Sequence, residues 1–140
     1  MNLITAVAAA IKKEFGEAAV IYEEESEQGF NVPSFFIRIL SGDLKEEFCG
    51  RFSYRCLLEV IYFPKEAAQT VLEKERLRLS LALTCLSGIG RAEKIESRTE
   101  EETVQVNATY RIFYSEKGAH SKIEKMEALH GKIKGRNTGI

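Results

Sequence analysis

Metal or hydrolytic chemistry in a small protein needs histidine, cysteine or carboxylate groups brought together, and few such groups in this sequence are spaced to meet. His120 and His130 lie near the C-terminus, outside any HxxxH arrangement and near no nucleophile in sequence. Cys49, Cys56 and Cys85 contain no CxxC pair, which removes a zinc ribbon and a thioredoxin-like motif. Cys85, between Thr84 and Leu86 in a predicted helix, is expected to be a small core hydrophobe rather than a reactive thiol. The stretch GIGR (Gly88 to Arg91) lacks the lysine and the serine or threonine of a phosphate-binding loop and follows a helix, so it is expected to be a turn. The carboxylate pairs Glu46–Glu47 and Glu101–Glu102 fall in predicted turns or on exposed strand positions. No catalytic residue, metal or cofactor is therefore expected, and catalysis is the weakest reading of the chain.

Composition sets the frame for these groups. A chain of 140 residues, 44% hydrophobic and 29% charged, has material for one domain with a real core and is not that of a disordered protein. A formal net charge of -1 gives no general pull toward nucleic acid or an anionic membrane. The odd number of widely spaced cysteines suits a reducing, intracellular setting. The opening MNLITAVAAAIKKEF has no basic residue before its apolar part and is soon interrupted by Lys12, Lys13 and Glu14. It is expected to be a mature helix, neither a secretion signal nor a membrane span.

The elements follow from periodicity. Ile4, Val7, Ala8, Ile11 and Phe15 share one helical face, with Asn2 as the cap and Gly16 as the stop. A short strand over Ala19 to Glu24 leads into an acidic loop. A strand opened by Pro33 (SFFIRIL) is followed by an expected turn at Ser41 to Asp43, then by strands over Lys45 to Arg51 and Tyr54 to Phe63 or by one strand bent at Gly50. Pro64 is expected to start a second helix. Its stripe is Ala68, Val71, Leu72, Leu79, Ala82, Leu83 and Leu86, its charged middle (EKERLR) faces water, and Gly88 lies beyond its end.

A hairpin around RTEE comes last. In its second strand Val104, Val106, Ala108, Tyr110, Ile112 and Tyr114 alternate with Thr103, Gln105, Asn107, Thr109, Arg111 and Phe113. The expected fold class is α+β, a mostly antiparallel sheet with two helices packed on one face. Residues 1–117 form the expected domain, and 118–140 an expected tail, a short helix (Ile123, Met126, Leu129) followed by a flexible basic end.

The order of LITAVAAAIKKEF, QGFNVPSFFIRIL, FCGRFSYRCLLEVIYFP and VNATYRIFY, with VPSFFIRIL, GRFSYR and VIYFP the most telling parts, resembles the tail-terminator (tail-completion) proteins of long-tailed phages and prophages of Gram-positive bacteria. The resemblance covers roughly Met1 to Tyr114. It implies a homo-oligomeric ring, a hexamer, that caps the tail tube, ends its polymerisation and offers a surface for head joining. It further implies as partners the tail tube protein and a head-completion or connector protein, with DNA passing through the lumen, no membrane, and a place in the virion tail after assembly in the host cytoplasm.

Within that resemblance, the strand after Pro33 poses a question: alternation puts Phe36, Arg38 and Leu40 on one face and Phe35, Ile37 and Ile39 on the other. One face goes under the helices, and the other meets a loop, a neighbouring subunit or more of the same chain. Phe35, Phe36, Arg38, Arg51, Arg55 and Arg111 are the subunit-interface candidates, with Glu23, Glu24 and Glu25 as carboxylates for a neighbour's arginines. Solvated arginines, or arginines facing DNA in a lumen, stay open beside that reading. A head-completion or neck connector shares the same logic. A small nucleic-acid-binding domain is the reading of a different class; against it, aromatics are not interleaved with a basic strand face.

Overall fold

A computed structural model describes residues 2–23 and 33–115 of the chain. Glu24, Glu25, both histidines and the expected C-terminal tail lie outside the described residues. The first helix, α1 (Leu3–Phe15), forms where its apolar spacing predicts: Leu3, Ile4, Ala6, Val7 and Ile11 are buried. The Asn2 Oδ1 accepts from the Thr5 N–H at 2.9 Å, satisfying one of the donors a helix start leaves unpaired. Gly16 ends it at φ +111°, a conformation that a side chain would strain. No described helix is long and apolar enough to cross a membrane.

The sheet is built around one long hairpin. The expected strand over Ala19 to Glu24 shrinks to β1 (Ile21–Tyr22), which runs parallel to the start of β2 (Ser34–Phe48). The expected turn at Ser41 to Asp43 does not occur, because β2 runs straight through it and pairs antiparallel with β3 (Arg51–Phe63). The reversal lies at Cys49 and Gly50, whose φ values of +49° and +75° match the twist of a two-residue hairpin turn. Gly42 serves another purpose than turning: the Tyr54 ring lies over it, and any β-carbon there would run into the Tyr54 hydroxyl. A bulge between Ile39 and Ser41 switches the facing of β2, so Phe35, Ile37 and Ile39 look toward the helices before it, and Gly42, Leu44 and Glu46 after it.

The second helix starts later and ends earlier than its pattern suggests. Pro64 is buried and lacks the N–H that continued pairing needs, and an irregular segment runs to Ala68 before α2 (Gln69–Ala82) begins. Leu83 closes α2, and a small hairpin follows, β4 (Cys85–Leu86) with β5 (Gly90–Arg91). Leu86 is thus buried from a strand rather than the helix. Cys85, the neighbour pointing the other way, is exposed instead of in the core, because the helix stops before reaching it.

The charged middle of α2 is not wholly hydrated either. Glu75 is buried, held by Arg78, which also donates to the Glu14 carboxylate and carbonyl and lies 4.1 Å from the centre of the Phe15 ring. That cluster ties the end of α1 to α2.

The last hairpin is β6 (Lys94–Glu100) and β7 (Thr103–Ser115), turning at Glu101 and Glu102 with positive φ at both. Strand order is β1-β2-β3-β7-β6, antiparallel except for the β1–β2 pair. The expected α+β class holds. The β7 alternation holds too, with Val104, Val106, Ala108, Tyr110 and Tyr114 buried. The first four meet Cys56, Leu58 and Val60 of β3 and the buried faces of both helices in one core, where Phe35 stacks on Tyr62 with ring centres 4.3 Å apart.

Burial of ionisable groups in this core sets an alkaline limit on stability. Burial pushes the Cys56 thiol up to about 11, against a smaller opposing effect of its hydrogen bond with Tyr54, and Tyr54 up to about 12. The folded state therefore keeps protons that the unfolded chain gives up near pH 9 to 10, so stability is full below that range and falls as pH rises toward the folded values. Urea midpoints at pH 8 and pH 10.5 should differ by on the order of 2 kcal/mol in stability from Cys56 alone. A flat profile between those two values would mean the thiol is solvated in the native state.

Candidate assembly surfaces

The face of the sheet turned away from the helices carries the arginines singled out by sequence. Arg38 on β2 donates from Nε to Glu59 Oε1 at 2.9 Å, and Glu59 is buried although Arg38 is half exposed. Arg55 on β3 and Arg111 on β7 are register partners, and both converge on Glu93 in the turn before β6. Arg55 Nε lies 2.9 Å from one carboxylate oxygen and Arg111 Nε 3.0 Å from the other. The second contact is an ion pair without a hydrogen bond, since the Arg111 N–H does not point along it.

One carboxylate between two guanidinium groups leaves a net positive charge. Each of these arginines uses only its Nε within the described chain. The terminal nitrogens of Arg38 and Arg55 make no hydrogen bond among the described residues and are available as donor pairs for an outside carboxylate or phosphate. The two pairs to Glu93 are partly exposed and add little stability; their effect is to fix the direction of the forks.

The phenylalanines that raised the question at sequence level are both sheltered in the single chain. Phe35 is 2% exposed in the core and Phe36 is 9% exposed on the other face of β2. Neither presents surface to a neighbour. Arg51 is exposed at the start of β3 opposite Phe48, and Glu23 is exposed just after β1.

The exposed apolar groups lie elsewhere. Phe48 is 72% exposed at the tip of the β2–β3 hairpin, and Phe113 is 63% exposed on the outer side of β7, where a clean polar alternation should have placed a polar residue. A phenylalanine among Thr103, Gln105, Asn107, Thr109 and Arg111 was the available sign of it. Leu77 and Leu81, four apart on α2 and off its buried stripe, are 62% and 64% exposed. With Ile95 of β6 they border a groove of about 400 Å³ whose other lining residues include Arg76, Ser80, Thr84 and Ser97. Arg76 donates to Ser97 Oγ at 3.0 Å across the groove and pairs with Glu73 on its own helix. Among the described residues no group of His, Cys, Asp and Glu is placed to hold a metal ion.

A family model described as phage tail terminator protein matches residues 2–122. Among solved structures, the chain is similar to one from "Virion of native gene transfer agent (GTA) particle", at 15% identity over 78% of this chain and 91% of that one, with a TM-score of 0.44. A second solved chain is similar at 13% identity over 79% of this chain and 93% of that one, with a TM-score of 0.39. Among curated proteins no sequence matches.

Proposed function

This chain belongs to the phage tail terminator family, and on that premise we propose that it closes into a ring, of six copies by the family resemblance, that caps the tail tube and ends its growth. A structural role in phage tail assembly, in the virion tail, follows from the family itself. The finer reading is supported by one observation above others: large apolar side chains stand exposed on two separate surfaces, the β2–β3 hairpin and the outer flank of α2. A closed ring needs two different patches per subunit, each docking on the other in the next copy. Exposed apolar groups gathered in this way mark contact sites more often than scattered ones do.

In this reading Arg38, Arg55 and Arg111 offer their outward forks to carboxylates of a neighbour, Glu23 among them, and Arg51 flanks the apolar hairpin tip. Phe35 and Phe36 support the fold instead. One rim of the ring meets the tail tube protein, the other a head-completion or connector protein, and DNA passes through the lumen. Assembly takes place in the host cytoplasm, and no reaction is part of the role.

Light scattering on the purified full chain, alone and with tail tubes, tests the ring. A closed oligomer that copurifies with tubes is the expected result. Copurification with portal complexes instead would make it a neck connector, and salt-sensitive binding of free nucleic acid by a monomer would favour a nucleic-acid-binding domain.

A further inference from the structure

Among the described residues the sheet has an open edge on each side. β1 pairs with β2 only at Phe35 and Phe36, so residues 41–47 of β2 have β3 on one side and no described strand on the other. β6 is the last strand at the opposite side, and its seven residues match the length of that open stretch. Unpaired strand edges present rows of backbone donors and acceptors, ready for another strand. On the face turned away from the helices, β2 carries Asp43 in line with Arg55 and Lys45 in line with Ser53. Glu47 joins them there, accepting from Ser53 Oγ at 2.6 Å. The same face of β6 carries Lys94, Glu96, Arg98 and Glu100, in line with Thr109, Asn107, Gln105 and Thr103 of β7.

We propose that residues 41–47 of one copy pair antiparallel with β6 of the next, a contact that rests on the ring reading and names what closes the ring. Direction follows from the topology: three antiparallel steps lead from β2 to β6, so β6 runs opposite to β2. A second copy in the same orientation therefore brings its β2 antiparallel to β6 with like faces together. When β6 lies along the whole open stretch, Asp43 meets Arg98, Lys45 meets Glu96 and Glu47 meets Lys94. A slide of two residues either way, the smallest that keeps the faces matched, sets Lys45 against Lys94 or Arg98 and Asp43 against Glu96 or Glu100. Within β6, Lys94–Glu96 and Arg98–Glu100 are exposed pairs that add little stability. The charges thus select the register, and the backbone ladder supplies the attachment.

Two further features agree. The register sets exposed Leu44, on the helix side of β2, opposite Ser97, which lines the groove with Leu77 and Leu81. Asp43 lies in the row of Arg111 and Arg98 in that of Gln105, so each copy is set about six residues, roughly 20 Å, along the strands from the last. Closing a sheet on itself requires a stagger of this kind. The symmetric alternative, β6 against β6 centred on Ser97, also opposes unlike charges, but a two-fold contact stops at two copies.

Full-length protein of ordinary and nitrogen-15-labelled composition is mixed, assembled alone or on tube ends, and treated with a carbodiimide, which joins an amine directly to an adjacent carboxylate. Mass spectrometry of the digest is expected to find mixed-isotope peptides joining Lys45 to Glu96. Lys45→Glu should weaken ring formation roughly 10-fold with unchanged circular dichroism, and adding Glu96→Lys should restore it. Rings that lack the Lys45–Glu96 link, that form from Lys45→Glu as readily as from the native chain, or that the double variant fails to recover overturn the pairing and leave the ring standing. Dimers alone, with mixed links from Lys94 to Glu100, or no oligomer under either condition overturn the ring reading, and the pairing with it.

Discussion

Tyr110→Ala is expected to cost about 3–5 kcal/mol of folding stability, and Tyr110→Phe about 1–2 kcal/mol. The ring of Tyr110 is fully buried on β7, opposite Cys56 of β3, in the layer where sheet and helices meet. Its hydroxyl donates to the Leu83 carbonyl at 2.5 Å, at the residue that closes α2. Alanine removes the packing and the bond, leaving a cavity that a close-packed core fills only in part. Phenylalanine keeps the packing and leaves the Leu83 carbonyl without this donor, so the difference between the two variants separates filling from fastening.

With total stabilities of such domains near 5–15 kcal/mol, the alanine loss takes a large share of the fold. Urea unfolding of both variants measures it, with unchanged slope and lowered midpoint. An alanine variant within about 1 kcal/mol of the native protein would contradict the central position given to this residue.

Elements with a strong, uninterrupted period were legible in the sequence, and those set by local backbone geometry were not. α1 announced both ends through Asn2 and Gly16, and β7 announced its buried side through six alternating residues. The segment Ser41 to Asp43 has the composition of a turn, yet a glycine is equally what a tyrosine ring lying across a strand demands, and composition cannot tell these uses apart. The real turn at Cys49 and Gly50 was harder to see because a non-glycine residue takes one of its positive φ angles. The end of α2 was misread because Leu83 and Leu86 continue the helical spacing although the backbone has already left the helix.

At the surface the arginines were placed correctly on strands, but their shared carboxylate, Glu93, comes from a turn far along the chain, and such convergence depends on strand order. Phe48, Leu77 and Leu81 were overlooked for a simpler reason. An apolar residue is expected inside, and only the folded arrangement shows which ones the core has no room to cover.

The largest functional effect expected is on tail length. A tube grows by adding subunits to an open end, and a ring seated on that end removes it. On the proposed ring-cap reading one cap per tube is enough, so the effect of omission is of the all-or-none kind, seen as tubes that continue past their normal length. Variants that spare the fold but spoil the outer contacts, such as Phe48→Ser, should reproduce it in proportion to the assembly they lose. Core variants such as Tyr110→Ala lower the amount of protein instead.

Electron microscopy of tails assembled with and without this protein measures that directly. The ring-cap account predicts a narrow length distribution when the protein is present, and a broad one shifted to longer tubes when it is left out. Identical distributions in the two preparations would contradict it.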